Sequence, residues 1–321
     1  MTLPDTLRLN EFGFYEIKDK PTPEALRDYS AQRYYQENLT TYQSTYPPEE
    51  REHIEGKLRL RHYVAEGLRL GGYEMKPEAA AGSPGTTAAL PEPVTTAPES
   101  QRLLDIGCGE GWALEYFQRQ GWDVLGLDFS SFSLTQFHPK LLPRLRTGDL
   151  YEQLQLLAAD GQQFDLLWLD NVLEHVLDPA GLLRLCRALT KPTGVLMVDV
   201  PNDFSALQQH LLTTGKIDRA FWVVLPDHLS YFNQTGLRNL ATATGWRMEK
   251  TIGDQPIDLS LLNPSTNYVM NRAAGKDAHL ARMEQDNLLL RTAPLAAVAA
   301  YYEGIAGVGL GRSIIAFLQP D

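Results

Sequence analysis

The sequence predicts an α/β protein whose main body is a doubly wound, mostly parallel sheet with helices on both faces. Three observations carry that expectation. From Gln101 onward, short apolar runs of strand length alternate with segments of helix length. The first run opens into LLDIGCGEGWALEYF (residues 103–117), with an acid and three glycines between an apolar pair and a helix-like stretch. That is the pattern of a turn whose backbone can itself touch a ligand. Ahead of it, KPEAAAGSPGTTAALPEPVTTAPES (residues 76–100) is almost all Pro, Ala, Gly, Ser and Thr, the composition of a linker or a long surface excursion.

These breaks divide the chain into an N-terminal region (1–75), the Pro/Ala-rich segment (76–100) and the α/β domain (101–321). Residues 23–72 read as helical. Tyr29, Tyr34, Tyr35, Tyr42 and Tyr46 crowd the first half, and the second, PPEEREHIEGKLRLRHYVAEGLRLGG, closes on Gly71 and Gly72. Leu58, Tyr63, Leu68 and Leu70 are expected to share an apolar face, leaving Lys57, Arg59, Arg61 and Arg69 on a solvated one. In the α/β domain the candidate strands are RLLDIG (102–107), DVLGLD (123–128), FDLLWLD (164–170), GVLMVDV (194–200), WRMEKTIG (246–253) and SIIAFLQ (313–319). Helical segments such as EGWALEYFQRQG and DPAGLLRLCRALTKPTG lie between the first four; the latter carries Leu182, Leu183, Leu185, Cys186 and Leu189 at helical spacing. Residues 254–312 match no pattern beyond a helical insertion near 260–305. GIAGVGLGRS (304–313) lacks the Gly-Lys-Ser/Thr ending of a phosphate loop and reads as a turn into the last strand.

Composition narrows the function. An aliphatic and aromatic content of 43% suits a globular enzyme. No run approaches the roughly 18 uninterrupted apolar residues that a bilayer demands. MTLPDTLRLNEFGFYE lacks the basic start and apolar centre of a secretory leader, so no membrane association and a cytoplasmic location are expected. With 29 Lys plus Arg against 40 Asp plus Glu, the formal charge is −11, and such a chain repels nucleic-acid phosphates. A small molecule is the expected partner. Two cysteines, Cys108 and Cys186, are too few for a disulfide framework, and no His, Cys or acid cluster shows metal-ligand spacing, so no metal is expected.

Asp105 ends the first strand, and Gly107, Gly109 and Gly111 follow at every second position. This is G-x-G-x-G, where the dinucleotide fingerprint is G-x-G-x-x-G. Ligands of such a sheet sit above that turn, at the carboxyl ends of the strands. Asp128 closes DVLGLD 23 residues beyond Asp105, where a carboxylate can accept both hydroxyl hydrogens of a ribose. Asp149 in RTGDL can meet an adenine amine, and Asp170 closes FDLLWLD. Four acids around one glycine turn suit a cofactor that carries a positive charge and no phosphate.

At these residues the chain resembles the class I S-adenosylmethionine-dependent methyltransferases, over most of residues 101–250. LLDIGCGEG is similar to their first motif, VLGLDFS to their ribose-binding acidic strand, TGDL to their adenine-contacting segment and FDLLWLDNVLEHVLDP to their fourth motif. The last resembles the small-molecule branch related to ubiquinone and sugar methylating enzymes, and PDHLSYFNQTGLRNLATATGW (226–246) is similar to that branch's histidine, aromatic pair, helix and Gly-aromatic ending. The resemblance implies a Rossmann-like seven-stranded methyltransferase sheet whose last strand, SIIAFLQ, runs antiparallel, with an N-terminal helical lid. It implies S-adenosylmethionine as cofactor and S-adenosylhomocysteine as product. Asp105, Gly107, Cys108, Gly109 and Gly111 would surround the methionine part, with Cys108 a small filler in the turn. Asp128 would hold the ribose, Phe129 would flank the adenine, Asp149 and Leu150 would contact the base, and Asp170 and Asn171 would lie beneath the sulfonium. A lid tyrosine, Tyr34 or Tyr35, is expected to reach the cofactor.

Methyl transfer from a sulfonium is an in-line displacement in which positive charge disappears, so alignment and exclusion of water are the protein's chief tasks. A base is needed only where the acceptor must lose a proton, and His228 is the candidate because an imidazole titrates near neutrality. His175, His228 and Tyr231 are the expected acceptor-side residues, with His175 read also as a capping or packing residue at a helix start. The expected reaction is methyl transfer to a small polar metabolite such as a sugar, glycoside or other biosynthetic intermediate, with O-methylation favoured by His228. N- or C-methylation, a cofactor-binding protein that works through partners without catalysis, and an NAD-dependent oxidoreductase stay open. The last would bring a G-x-x-G ending and a Tyr-Lys or Cys-His set, and neither is found.

Overall fold

The computed structural model describes residues 5–26, 29, 45–71 and 100–321. In chain order its strands are β1 (Leu7–Leu9), β2 (Tyr15–Ile17), β3 (Arg102–Ile106), β4 (Asp123–Asp128), β5 (Leu145–Thr147), β6 (Phe164–Asp170), β7 (Thr190–Pro201), β8 (Ser230–Tyr231), β9 (Trp246–Ile252) and β10 (Ser313–Pro320). Its helices are α1 (Pro48–Arg69), α2 (Trp112–Arg119), α3 (Phe132–Phe137), α4 (Leu150–Ala159), α5 (Pro179–Leu189), α6 (Ala206–Thr213), α7 (Gln234–Ala243), α8 (Ala274–Thr292) and α9 (Leu295–Gly307). The expected strands of the α/β domain all form, within a few residues of the bounds that the apolar runs suggest.

Seven strands make one sheet in the order β5-β4-β3-β6-β7-β10-β9. Neighbours from β5 to β7 run parallel, and β10 lies antiparallel between β7 and β9. The last strand therefore reverses, as the resemblance implied. The chain runs outward from β3 through β4 to β5 and from β6 to β7, and the carboxyl ends of β3 and β6 flank the crevice where doubly wound sheets bind ligands. Side-chain alternation sorts the core into two layers. Leu104, Ile106, Leu167, Leu169, Leu196 and Val198 face α5 and α7. Leu103, Leu166, Trp168, Val195 and Met197 face α1, α2 and α9.

Local chemistry starts the helices. Pro48 lies in the first turn of α1 with Glu49 and Glu50, and Arg69 in its last, matching the fixed φ of proline and the helix dipole. Asp178 caps α5 through Gly181 N–H, and Ser205 with Gln208 forms a capping box on α6.

Three expectations are corrected. The region 1–75 is not wholly helical, because β1 and β2 pair as an antiparallel hairpin and β2 pairs with β8. Gly304 and Gly307 lie inside α9, so the turn into the last strand is only the latter half of GIAGVGLGRS. Arg61 is not on a solvated face: it is 2% exposed, while Leu70, expected inside, is 67% exposed. Tyr34, Tyr35 and Tyr42, and residues 76–99 of the Pro/Ala-rich segment, lie outside the described residues.

A third apolar cluster caps the carboxyl edge of the sheet. Leu7 and Ile17 from the hairpin meet Phe204, Leu211, Trp222, Leu229 and Tyr231 from the chain after β7, and Leu261 and Val269 from the insertion. Among the described residues, no helix is long and apolar enough to cross a membrane.

Candidate active site

The glycine turn is built so that only one of its three glycines faces open space. Gly107 and Gly111 hold φ of +75° and +83°, where an L side chain is strained. A Cβ on Gly107 would lie 2.5 Å from Val172 Cγ2, and one on Gly111 2.2 Å from Leu134 Cδ1. A Cβ on Gly109 would meet nothing within 4 Å, so a ligand can approach the backbone there. Cys108 is buried beneath the turn, facing Gly126, where an added Cβ would sit 2.8 Å from its sulfur. Glu110 accepts hydrogen bonds from Tyr46 Oη at 2.9 Å and Trp112 Nε1 at 2.6 Å, so one of the N-terminal tyrosines does reach this turn.

The four acids lie at or just beyond strand ends, in different states. Asp105 is buried, and burial, with Asp170 and Asp128 nearby, pushes its carboxyl well above the usual range. Asp128 is 4% exposed; Oδ2 accepts from Gly109 N–H at 2.8 Å and Oδ1 from Ser130 N–H at 3.1 Å. Phe129 next to it is half-buried. Asp149 caps α4, its Oδ1 accepting from the N–H groups of Tyr151 and Glu152, and Leu150 packs against the core. Asp170 is ion-paired with Arg61 at 2.5 Å and accepts from Asn171 Nδ2 at 2.8 Å. Arg61 also pairs with the buried Asp199 of β7. Burial alone would raise Asp170, but the guanidinium outweighs it and holds the carboxyl below its ordinary value. Burial pushes Asp199 up to about 7 against the pull of Arg61. Asn171 sits at φ +55°, a left-handed geometry that Asn tolerates better than most residues.

Beyond Asn171 the fold collects the residues expected on the acceptor side. Leu173–His175 is a single 3-10 turn, and Leu229 N–H donates to Glu174 O at 2.8 Å, which fastens the 224–231 segment to it. The rings of His175 and His228 are 4.9 Å apart and nearly perpendicular, and His228 lies 6.1 Å from Tyr231. His175 Nδ1 is 2.8 Å from the carbonyl oxygen of Asp227, a packing role consistent with one of its two expected readings. Burial, reinforced by His175, lowers His228 to about 4, and burial lowers His175 as well, so both imidazoles are neutral at pH 7. Glu174, 1% exposed, is pushed well above the carboxylate range by burial. Asp203, buried, is pushed up to about 6 in spite of its pairing with Arg312 at 3.1 Å.

Residues 76–251 match the family described as "Methyltransferase domain", which is more than half of the chain. The chain belongs to this methyltransferase family. Among its relatives, a "Ubiquinone biosynthesis O-methyltransferase" of Coxiella burnetii (strain RSA 331 / Henzerling II) is 29% identical over 159 residues, 46% of this chain and 67% of that one. The protein of the same description from Cereibacter sphaeroides (strain ATCC 17029 / ATH 2.4.9) is 36% identical over 106 residues, covering 32% of this chain and 42% of that one. A solved SAM-dependent methyltransferase from Archaeoglobus fulgidus aligns over 84% of this chain and 93% of its own at 17% identity, with a TM-score of 0.47. The protein is thus a class I S-adenosylmethionine-dependent methyltransferase, and the nicotinamide alternative is dropped.

The methyltransferase's residues suit that cofactor. The open backbone at Gly109 and the Asp128 carboxylate bonded to its N–H favour a cationic ligand without phosphate. Sequence reasoning missed Glu174, Asp199, Asp203, Arg61 and Arg312. Glu174 stood in plain view in the LEHV segment, and Arg61 is three residues from both Leu58 and Val64, a cation inside an apolar helical stripe.

Proposed function

We propose that this methyltransferase moves the methyl group of S-adenosylmethionine to a hydroxyl oxygen of a small polar metabolite, of the sugar, glycoside or biosynthetic-intermediate type. The observation that carries the reading is the neutral His228, set beside His175 and Tyr231 past the carboxyl end of β6. A hydroxyl must shed its proton to become a competent nucleophile, and a neutral imidazole on the acceptor side is the group through which that proton is made to leave. The description of the relatives as O-methyltransferases supports the same acceptor atom.

In this reading Asp105, Gly107, Cys108, Gly109 and Gly111 surround the methionine part of the cofactor. Asp128 holds the ribose, its carboxylate oriented by the backbone N–H groups of Gly109 and Ser130 to accept the sugar hydroxyls. Phe129 flanks the adenine, Asp149 offers Oδ2 to the amine while Oδ1 caps α4, and Leu150 lies against the ring. Asp170 and Asn171 sit below the sulfonium, with Arg61 fixing Asp170 in place. The methyl carbon leaves sulfur with the C–S electron pair staying on sulfur, and the acceptor oxygen takes its place. The test is a turnover assay with methyl-deuterated S-adenosylmethionine against a panel of hydroxyl, amine and carbon-acid acceptors, with mass spectrometry locating the label. Label on oxygen supports the reading; label only on nitrogen or carbon overturns it.

A further inference from the structure

Arg61 also lines a cavity of about 20 Å³, walled by α1, by the residues that end β9, and by α8 and α9. That volume takes one oxygen-sized group. Its walls are held together from several directions. A Cβ on Gly56 would lie 2.7 Å from Leu290 Cδ1, so α1 and α8 approach closely, and Arg59 Nη2 donates to the Leu290 carbonyl at 2.7 Å. Gly253 N–H donates to the Tyr302 carbonyl at 2.8 Å, which ties α9 to the end of β9. The lining offers donors on one element and acceptors on others. Both terminal nitrogens of Arg61 are committed, to Asp170 and Asp199, while its Nε is buried without a hydrogen-bond partner among the described residues. An N–H left in that state is costly. Lys57, one turn away on α1 and half-buried, makes no hydrogen bond or ion pair among the described residues. Asp254 accepts from Ser313 N–H at 2.8 Å through Oδ1, and Asp286 accepts from Tyr302 Oη through its own Oδ1, so each keeps a second oxygen. His53 Nδ1 stands 3.7 Å from Asp286 Oδ2, but burial, with Lys57 beside it, lowers that imidazole to about 3, and it brings no charge at pH 7.

We propose that this cavity is a recognition subsite for one hydroxyl group of a neutral, sugar-like acceptor, held between Lys57 and Arg61 on one side and Asp254 and Asp286 on the other. A hydroxyl accepts and donates at the same atom. Its oxygen takes an N–H from Arg61 or Lys57, and its hydrogen goes to Asp254 or Asp286. A carboxylate has no hydrogen to give the two acids, an ammonium has no lone pair for the two cations, and each would meet like charge in partly buried surroundings. Position joins the cavity to methyl transfer. Arg61 reaches from it to Asp170, which lies below the sulfonium in the proposed reaction. Asp254 follows β9, which runs in the direction of β6 and β7 because β10 is antiparallel to both its neighbours. The anchored hydroxyl is a different one from the methylated oxygen, and holding it fixes which other hydroxyl of the same molecule is presented to the methyl carbon. The subsite was hidden in the sequence: Lys57 was grouped with a solvated basic face, and Asp254 and Asp286 fall in the 254–312 stretch that matched no pattern.

The part this subsite plays in methyl transfer rests on the O-methylation reading, but its binding of a hydroxyl does not, and the two are separable. Full-length protein loaded with S-adenosylhomocysteine is titrated with D-glucose, D-galactose and D-mannose under saturation-transfer difference NMR, then with the monodeoxy analogues of whichever binds most tightly. The expected result is that one deoxy analogue binds tenfold or more weakly than its parent sugar, because its missing hydroxyl leaves the cavity groups unpaired. That penalty should shrink to threefold or less in Lys57→Met and in Asp254→Asn, which keeps an oxygen for Ser313 N–H, and should stay unchanged in His210→Ala. Circular dichroism confirms the fold, and should one of the two cavity variants fail to fold, the other carries the test. Binding of none of the three sugars, equal binding of all the deoxy analogues, or a penalty indifferent to both cavity substitutions overturns the proposal. So does a crystal structure with the sugar elsewhere and a water molecule alone in the cavity. Methylation of oxygen with no such penalty would leave the O-methylation reading standing and remove the subsite. A penalty that depends on Lys57 and Asp254 in a protein that methylates no hydroxyl would keep the subsite and remove the reading.

Discussion

The two ends of the crevice are assembled differently. The cofactor end is continuous in sequence: residues 105–112 supply a strand end, the glycine turn and the start of a helix, and Asp128 closes on the turn through Gly109 N–H. The proposed acceptor end is gathered from afar, with Glu174 and His175 after β6 and His228 before β8, under the influence of a buried pair made by Asp203 after β7 and Arg312 ahead of β10. A locally built site is held by backbone geometry, whereas one gathered from separate segments depends on buried charges that the whole fold must bring together. The cofactor end is therefore vulnerable to the addition of a single carbon, and the acceptor end to the loss of a single charge.

Arg61→Leu, between the two ends, gives the sharpest test of the dependence on buried charge. It strands Asp170 and Asp199 without their cation, and removing one partner of a buried pair costs about 3–5 kcal/mol. Urea denaturation should show a loss of that size; a loss under about 1 kcal/mol would mean that the pair is solvated. Gly111→Ala tests the first statement. The left-handed φ and the 2.2 Å approach to Leu134 together should destabilise the chain by about 2–4 kcal/mol. Gly109→Ala, with open space before it, should lose less than half as much stability while weakening S-adenosylmethionine binding. Equal destabilisation by the two would erase the distinction drawn within the turn.

Asp128→Ala should weaken cofactor binding by about 1–3 kcal/mol in calorimetry; unchanged affinity removes the ribose assignment. The smallest effects are in pH dependence. His228 is charged below about 4 against roughly 6.5 when unfolded, so the unfolded chain binds more protons between those values. This contribution to stability is lost as pH falls through that window. Asp203 acts in the opposite sense: with its carboxyl raised to about 6, it loses stability as pH rises from about 4 to 6. His228→Gln should remove the first slope from a stability-versus-pH curve and Asp203→Asn the second. Methyl transfer should likewise decline only as pH drops toward 4; a decline centred near 6.5 would mean that His228 is solvated.

The same contrast explains what could be read in advance. β3, β4 and β6 were legible because each is a run of apolar residues closed by an acid or a glycine turn, and parallel central strands are buried on both faces. β1, β2 and β8 were not, because two or three residues carry no period that distinguishes a strand. Asp105 and Asp128 were legible as strand-end acids at a recognisable separation. Asp170 was found, but its partner was misassigned, since Arg61 was grouped by charge with its basic neighbours instead of by helical position with Leu58 and Val64. Asp203 and Arg312 pair across 109 residues, a separation over which no local pattern carries information.

One feature of the sheet bears on how such a protein can diversify. Because β9 and β10 are adjacent and antiparallel, everything between them, α8 and α9 included, is topologically an enlarged hairpin loop. Its two stems pinch together where the Cβ position of Gly311 would sit 2.9 Å from the α-carbon of Gly253. An excursion anchored in that way can be lengthened, shortened or grafted without disturbing strand register, so one module can be exchanged while the sheet beneath it is left alone.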